Sequence, residues 1–183
     1  MAYDYSKLQN GSDIRGLAIG NNAEAINLDS EAVSRLAKGF LYLLSHNTEK
    51  EPHELCIAVG RDSRISGPDL VRDIASALIP YGAKVLDSGL SSTPAMFMST
   101  VFEEFKCDGA IMVTASHMPS DRNGMKFFDV DGGLDKGDIA DIITFAESNS
   151  VLGRLSPRTA SQPIKVNLMD VYSAHLRKKI VDA

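Results

Sequence analysis

Apolar residues recur along the chain as short continuous runs that alternate with longer stretches of helical spacing. Three short runs are typical of strands buried on both faces: residues 55–59, 83–86 and 109–113. Four longer stretches have apolar residues every three or four positions, which predicts helices: residues 30–47, 68–78, 94–105 and 135–147. This alternation predicts an α/β domain of three layers, with a mixed, mostly parallel sheet between helices.

The remaining segments of the chain predict a fourth strand and the limits of the domain. Residues 124–130 resemble a strand joined as a hairpin or placed at the sheet edge, because the preceding loop is too short for a helical crossover. We expect the domain to span residues 1–147 and a polar linker to span 148–165. Residues 166–183 predict a helix that leads into a second domain and has no partner in this chain.

The composition of the 183 residues narrows the classes of function. A net charge of −5 argues against non-specific nucleic-acid binding, which needs a basic face. No apolar run approaches the length of a membrane span, and the first residues lack the pattern of a secretory signal. We therefore expect a cytoplasmic protein with no nucleic-acid or membrane partner, and an organelle stroma stays open.

The two cysteines, Cys56 and Cys107, lie in apolar segments of the sequence. Buried free thiols in a reducing compartment are the favoured interpretation. A disulfide or a metal pair is the alternative, although no second cysteine lies near either one in sequence.

Polar loops follow three of the predicted strands, at the edge of an α/β sheet where ligands bind. These loops are residues 60–67, 88–93 and 114–124. The third contains Ser116, His117 and an Asn123-Gly124 pair that predicts a turn, with Lys126 just beyond. A serine there can carry a phosphoryl group if neighbouring charges stabilise it. Without further support, a Ser-His pair in a loop is more typical of an ordinary polar surface.

Three segments, taken together, give the sequence a family resemblance. Residues 114–119 (Thr-Ala-Ser-His-Met-Pro), followed by residues 123–126 (Asn-Gly-Met-Lys), resemble the serine loop of the α-D-phosphohexomutases, which include phosphoglucomutases and phosphomannomutases. Residues 11–16 (Gly-Ser-Asp-Ile-Arg-Gly) and 59–67 (Val-Gly-Arg-Asp-Ser-Arg-Ile-Ser-Gly) resemble two further segments of that family, in the same order.

The resemblance implies an activity and its cofactors. Ser116 would be the phosphorylated serine, which donates its phosphoryl group to a hexose phosphate and regains one from the bisphosphate intermediate. A magnesium ion would contact the phosphate on Ser116, and hexose 1,6-bisphosphate would act as the activator. The substrate would be a hexose 1-phosphate or 6-phosphate, and the other domains of the same chain would be its partners.

The resemblance also implies roles for individual residues. Lys126 would lie near the reacting hydroxyl, Arg15 would approach the phosphoserine and His117 would shape the site. Arg61 and Asn123 are candidates for binding phosphate or substrate. An exposed strand lysine and a surface ion pair remain the alternatives for the first two.

The loop formed by Arg61, Asp62 and Arg64 admits two interpretations. We favour a self-paired structural loop over direct contact with substrate. Asp129 and Asp131, which precede two glycines, likewise indicate a hairpin turn more than a metal site.

Two departures from the family pattern keep a rival interpretation open. The family usually has asparagine where Met118 stands and often has tyrosine where Ser12 stands. The rival is a non-catalytic member that only binds a sugar phosphate or a protein. An unrelated flavodoxin-like domain would need three chance matches. The family's aspartate-rich metal loop and sugar-binding loops belong to further domains, so we expect this chain alone to fold without turning over substrate.

Overall fold

A computed structural model describes residues 4–20, 23–148 and 162–182 and forms a seven-stranded sheet from them, with helices on both faces. The strands are β1 (Gln9–Asn10), β2 (Asp13–Leu17), β3 (Cys56–Arg61), β4 (Lys84–Leu90), β5 (Gly109–Val113), β6 (Arg122–Phe128) and β7 (Ile164–Lys165). The α-helices are α1 (Ser30–Thr48), α2 (Gly67–Leu78), α3 (Thr93–Val101), α4 (Lys136–Glu147) and α5 (Leu168–Val181).

The sheet is mixed, in the order β1-β2-β6-β5-β3-β4-β7. Strand β3 pairs in parallel with β4 and β5, and β4 pairs in parallel with β7. The other three pairings are antiparallel, which leaves five of the seven strands running in one direction. The prediction of a mixed, mostly parallel sheet is confirmed.

Alternate residues of the central strand β3 point to opposite faces of the sheet, and this separates two apolar cores. Ile57 and Val59 pack into the larger core, beneath α1, α2 and α4. Ala58 packs into the smaller core, beneath α3 and the start of α5. The sheet is therefore covered on both faces, and the predicted three-layer arrangement is confirmed.

Helix boundaries follow the capping signals of the sequence. Asp29 precedes α1 and its carboxylate accepts from the Ala32 amide at 2.8 Å. Gly82 ends the turn after α2 with φ +90°, a conformation that a glycine adopts at little cost. Helix α3 ends at Val101, earlier than predicted, and a turn leads from it toward β5. No helix in the described residues is long and apolar enough to cross a membrane.

Strand β2 is the main element that the apolar pattern did not reveal. Two of its five residues, Asp13 and Arg15, are charged, so the alternation of a half-buried strand is hidden. The strand pairs along its length with β6, which therefore lies inside the sheet. Hairpin pairing of β6 with β5 is confirmed, whereas the alternative position at the sheet edge is wrong.

The predicted Asn123-Gly124 turn is also wrong, because both residues lie within β6. The chain reverses earlier, through hydrogen bonds from Met118 N to Ala115 O and from Arg122 N to Pro119 O, both 3.1 Å. The turn predicted around Asp129 is confirmed, since its carboxylate accepts from the amides of residues 131 and 132 at 2.9 and 3.0 Å.

The C-terminal elements pack on this domain. Most of the predicted linker lies outside the described residues, but its end forms β7 and adds a strand beside β4. Leu168 of α5 is 1% exposed, and the His175 ring meets the Phe102 ring edge-on at 5.2 Å. The prediction that this helix lacks a partner in the chain is wrong, because the apolar side of α3 accepts it. The proposed division into domains stays a prediction.

Candidate active site

Three segments that resemble the family come together at the carboxyl end of the parallel strands. Strand β3 leads into the loop that holds Asp62 and Arg64, and its neighbour β5 leads into the loop that holds Ser116. Strand β2 brings Arg15 to the same place, because Arg15 Nη1 donates to Thr114 O at 2.9 Å. The sheet order, which sequence alone does not give, creates this meeting point.

Arg64 holds the serine loop by its main chain. Its Nη1 donates to the carbonyl oxygens of Pro119 and Arg122 at 2.6 and 2.9 Å. Its Nη2 donates to those of Ser116 and Met118, both at 2.8 Å. A guanidinium can do this because its donors lie in a rigid planar fork. One side chain thus binds four carbonyl groups of the turn that carries Ser116.

Asp62 orients this arginine and extends the network to Thr114. Its Oδ2 pairs with Arg64 Nε at 3.3 Å and accepts from the Thr114 hydroxyl at 2.7 Å. The same hydroxyl accepts from the Ser116 amide at 3.1 Å. The predicted self-paired structural loop is confirmed for Asp62 and Arg64, and this pairing fixes the backbone on both sides of the serine.

Ser116 stands at the exposed tip of this network, in an unusual backbone conformation. Its φ is +55°, which costs a non-glycine residue about 1–2 kcal/mol. The Ser116 hydroxyl lies 3.4 Å from His117 Nδ1. A strained, solvent-facing serine held by its own main chain is well placed to be modified by a reagent from outside.

A second cluster, formed by Asp13, Arg15 and Lys126, lies beside the serine loop. Asp13 is directly opposite Lys126 in the antiparallel pairing of β2 and β6. The Asp13 carboxylate binds Arg15 Nη2 at 2.6 Å and Lys126 Nζ at 2.9 Å. Their side chains are 14–26% exposed, so solvent screens this pairing less than a surface ion pair. Asp13 therefore fixes the positions of both predicted cationic residues.

Gly124 makes room for the arginine of this cluster. A Cβ at this position would lie 2.8 Å from Arg15 Cδ and 2.9 Å from Thr114 O. Any side chain there would displace Arg15 from the carbonyl to which it donates. The Asn-Gly pair thus serves close approach between strands instead of a turn.

Asn123 does not take the predicted position for binding phosphate. It is 0% exposed, its Nδ2 donates to Ser66 Oγ at 2.9 Å and its Oδ1 accepts from the Gly124 amide at 2.9 Å. Both ends of the amide are therefore occupied inside the protein. The structure replaces the predicted contact with a tie between β6 and the start of α2.

Arg61 lies apart from Ser116. It lines a separate cavity of about 340 Å³ together with Asp87 and Lys165, and no residue of the serine loop lines that cavity. Its Nη1 donates to Asp62 O at 3.1 Å. Phosphate binding by Arg61 stays a prediction, and the structure does not bring this residue to the serine.

Sequence reasoning missed Asp13 and undervalued Arg64. Asp13 and Arg15 are two positions apart, which places them on one face of a strand. That spacing was a usable signal, but only once residues 13–17 are known to form a strand. The four carbonyl acceptors of Arg64 carry no signal in the side-chain sequence.

The charges of the site favour an added anion. Arg15, Arg64 and Lys126 contribute three positive charges, while Asp13 and Asp62 contribute two negative ones. Both carboxylates are already engaged by these cations. The described residues contain no group of three or more His, Cys, Asp or Glu that could hold a metal. For a divalent metal, this part of the chain thus fits as donor only through an anion carried on Ser116.

Comparison with known proteins decides the family. The sequence model described as "Phosphoglucomutase/phosphomannomutase, alpha/beta/alpha domain I" matches residues 6–150, most of the chain. The chain belongs to the phosphoglucomutase/phosphomannomutase family. This phosphohexomutase domain I includes the serine loop, the Arg64 loop and β2 within the matched residues.

Relatives and solved structures agree with this membership. Phosphoglucosamine mutases of Thermoanaerobacter sp. (strain X514) and Staphylococcus saprophyticus are 36% and 40% identical to the chain over 123 and 124 residues. Each match covers 67% of this chain and 25% of the relative, so the chain spans about a quarter of the length of these curated relatives. A Thermus thermophilus structure described as a phosphomannomutase shares the fold, with a TM-score of 0.69 at 20% identity, covering 98% of this chain and 37% of the other.

Replacement of Arg64 tests its hold on the serine loop of this phosphohexomutase domain. We expect Arg64→Ala to lower the free energy of unfolding by about 2–4 kcal/mol, because several carbonyl groups lose their donor. The amides of Met118 and Arg122, which close the turn, should exchange with solvent about tenfold faster. Urea unfolding and NMR hydrogen exchange measure the two effects.

Arg72→Ala is the matched control, since Arg72 is 66% exposed and pairs with Asp69 on the surface of α2. It should change the free energy of unfolding by less than about 1 kcal/mol. Equal effects of the two substitutions, or unchanged exchange in Arg64→Ala, would show that the loop keeps its shape without this arginine.

Proposed function

We propose that the protein is a phosphohexomutase, which interconverts hexose 1-phosphate and hexose 6-phosphate through a phosphoserine at residue 116. The observation that carries this proposal is the exposed Ser116 on a turn whose backbone Arg64 and Thr114 already hold. Family membership supports it, because the match includes this turn. Phosphoryl transfer depends mainly on positioning and charge stabilisation, which a preformed cationic site supplies.

The proposed reaction passes one phosphoryl group in each direction. In the first half, the bond between Ser116 Oγ and phosphorus breaks, and a bond forms from phosphorus to the free hydroxyl oxygen of the sugar phosphate. That hydroxyl loses a proton and the serine oxygen regains one. In the second half, the other phosphate of the resulting hexose 1,6-bisphosphate returns to Ser116, which leaves the isomeric monophosphate.

The three cationic or proton-carrying neighbours have distinct proposed roles. Lys126, oriented by Asp13 at 2.9 Å, would assist proton transfer at the reacting hydroxyl and stabilise its developing charge. Arg15 would stabilise the phosphate on Ser116 from the side of Thr114. His117, 3.4 Å from the serine hydroxyl, would hold or donate a proton there.

Magnesium and the sugar extend the proposal beyond this domain. A Mg²⁺ ion would contact an oxygen of the phosphate on Ser116 and stabilise charge on the transferring group. Since two relatives are phosphoglucosamine mutases, glucosamine phosphates are the first substrates to test, ahead of glucose and mannose phosphates. A cytoplasmic location stays a prediction.

Phosphosite mapping tests the carrier role. The full-length protein, incubated with a hexose 1,6-bisphosphate and magnesium, should carry phosphate on Ser116 and lose it when a hexose monophosphate is added. Ser116→Ala should abolish labelling and mutase activity, because the accepting oxygen is gone. Mass spectrometry of the serine-loop peptide measures occupancy.

Ser120→Ala is the matched control, since Ser120 is an exposed serine of the same loop. It should label and turn over as the unaltered protein does. An unmodified Ser116 in folded full-length protein would contradict the mutase proposal and favour a member that only binds sugar phosphates.

Substitution of Lys126 tests its role at the reacting hydroxyl. We expect Lys126→Met to lower kcat by about 10²–10⁴-fold, the usual range for loss of a proton-transfer group, while phosphate on Ser116 can still be detected. Steady-state kinetics of the full-length protein give kcat. Lys106→Met, at a site 74% exposed and outside the cluster, is the control and should leave kcat within about twofold. Comparable kcat values for both variants would remove Lys126 from the mechanism.

The 183-residue chain alone should not turn over hexose phosphates. Its described residues offer no cluster of carboxylates that could hold a metal, and the chain spans about a quarter of its relatives' length. A coupled assay on the pure chain, with full-length protein as the positive control, measures this. Turnover above the rate given by Ser116→Ala in the same chain would overturn the expectation.

A further inference from the structure

The two cysteines form a pair at the amino-terminal end of the sheet. Cys56 begins β3, and Cys107 lies two positions before β5. Although they are 51 positions apart in sequence, their sulfur atoms are 3.5 Å apart and both thiols are free. The parallel pairing of β3 with β5 brings them together, as the Asp108 amide donates to Cys56 O at 2.8 Å.

The pair differs in access to solvent. Cys107 is 1% exposed, whereas Cys56 is half-buried and lines a cavity of about 560 Å³ with His53 and Lys84. A small oxidant can therefore reach Cys56 from this cavity, while Cys107 is reached only through Cys56. This division matches a first-reacting thiol with a second thiol waiting behind it.

The charges around the pair favour the same division. With Cys107 as donor, the hydrogen bond between the thiols lowers the pKa of Cys56, against the effect of burial, and nearby Lys84 lowers it further. The same hydrogen bond, together with burial, raises the pKa of Cys107 above its ordinary value. Asp108 opposes thiolate formation at both sulfurs, and Lys50 pairs with its carboxylate. The thiolate, which is the nucleophile, is thus favoured at Cys56.

We propose that Cys56 and Cys107 are a site of reversible oxidation, at which a peroxide converts the dithiol into an intramolecular disulfide. The Cys56 thiolate attacks one oxygen of the peroxide, the O–O bond breaks, and Cys56 becomes a sulfenic acid. The Cys107 sulfur then attacks the Cys56 sulfur and displaces hydroxide, which takes the Cys107 proton and leaves as water. With hydrogen peroxide, two thiols give one disulfide and two molecules of water.

The backbone permits this bond. Neighbouring strands lie about 4.8 Å apart, and a disulfide needs Cα atoms roughly 4.4–6.8 Å apart. Since Ile57 is opposite Gly109, Cys107 lies one position diagonal to Cys56 across this pair of strands. The sulfurs need only side-chain rotation to move from their contact distance to a bond.

The disulfide would join the beginnings of the two strands whose ends carry the candidate active site. Strand β3 leads into the Arg64 loop and β5 leads into the Ser116 loop. The bond would lie at the opposite end of both strands, so its direct effect would be on stability rather than on the serine. This inference does not depend on the proposed mutase reaction.

Treatment of the purified protein with a small molar excess of hydrogen peroxide tests the proposal. The intact mass should fall by the mass of two hydrogen atoms, and one peptide pair containing Cys56 and Cys107 should appear in non-reducing digests. Dithiothreitol should reverse both changes. The oxidised protein should melt roughly 5–15 °C higher than the reduced protein, because the cross-link restricts the unfolded chain.

Two serine variants separate the roles of the thiols. In Cys107→Ser, Cys56 should stop at a sulfenic acid that dimedone traps, whereas in Cys56→Ser the buried Cys107 should stay reduced. The proposal would be overturned if the unaltered protein, after peroxide, kept both thiols open to alkylation on unfolding. Oxidation of Cys56 to a sulfinic acid with Cys107 still reduced, or a cross-link between two copies of the chain, would overturn it equally.

Discussion

The guanidinium of Arg64 is the constraint on which the rest of the site depends. The turn between β5 and β6 must expose a serine with φ +55° and still satisfy carbonyl groups that point inward. No strand or helix is available there to supply the donors. Arg64 supplies them to four carbonyl groups, and Asp62 holds the arginine in place. A side chain from one strand end thus fixes the loop that follows its neighbour.

This arrangement separates the shape of the loop from most of its side chains. Met118 replaces the family's usual asparagine, yet its carbonyl oxygen accepts from Arg64 and its amide donates to Ala115 O. Both bonds are made by the main chain, so they do not need an amide side chain at this position. The Asp13 cluster is built in a similar way, because strand register, rather than loop sequence, places Lys126 opposite Asp13.

Apolar patterns predicted much of the fold, because β3, β5 and the long helices bury enough surface to leave a periodic signal. Strand β2 escaped for a reason that is itself functional, since Asp13 and Arg15 face the site where apolar residues would mark a strand. The loops that meet at the site were predicted from family resemblance, whereas their contacts were not. Those contacts depend on the order of strands in the sheet, which also hid the proximity of Cys56 to Cys107.

The cations near Ser116 therefore have unequal duties. Arg15 and Lys126 are tied to one carboxylate, so an incoming phosphate could share them without loss of a backbone bond from Lys126. Arg64 is different, because its bonds to the main chain maintain the turn. A crystal structure of the full-length protein phosphorylated on Ser116 tests this distinction most directly. The account predicts that Arg64 still donates to the carbonyl oxygens of Ser116 and Met118, while the phosphate contacts other cations. Withdrawal of Arg64 from those carbonyls to bind the phosphate, with a changed turn at Ser116, would contradict it.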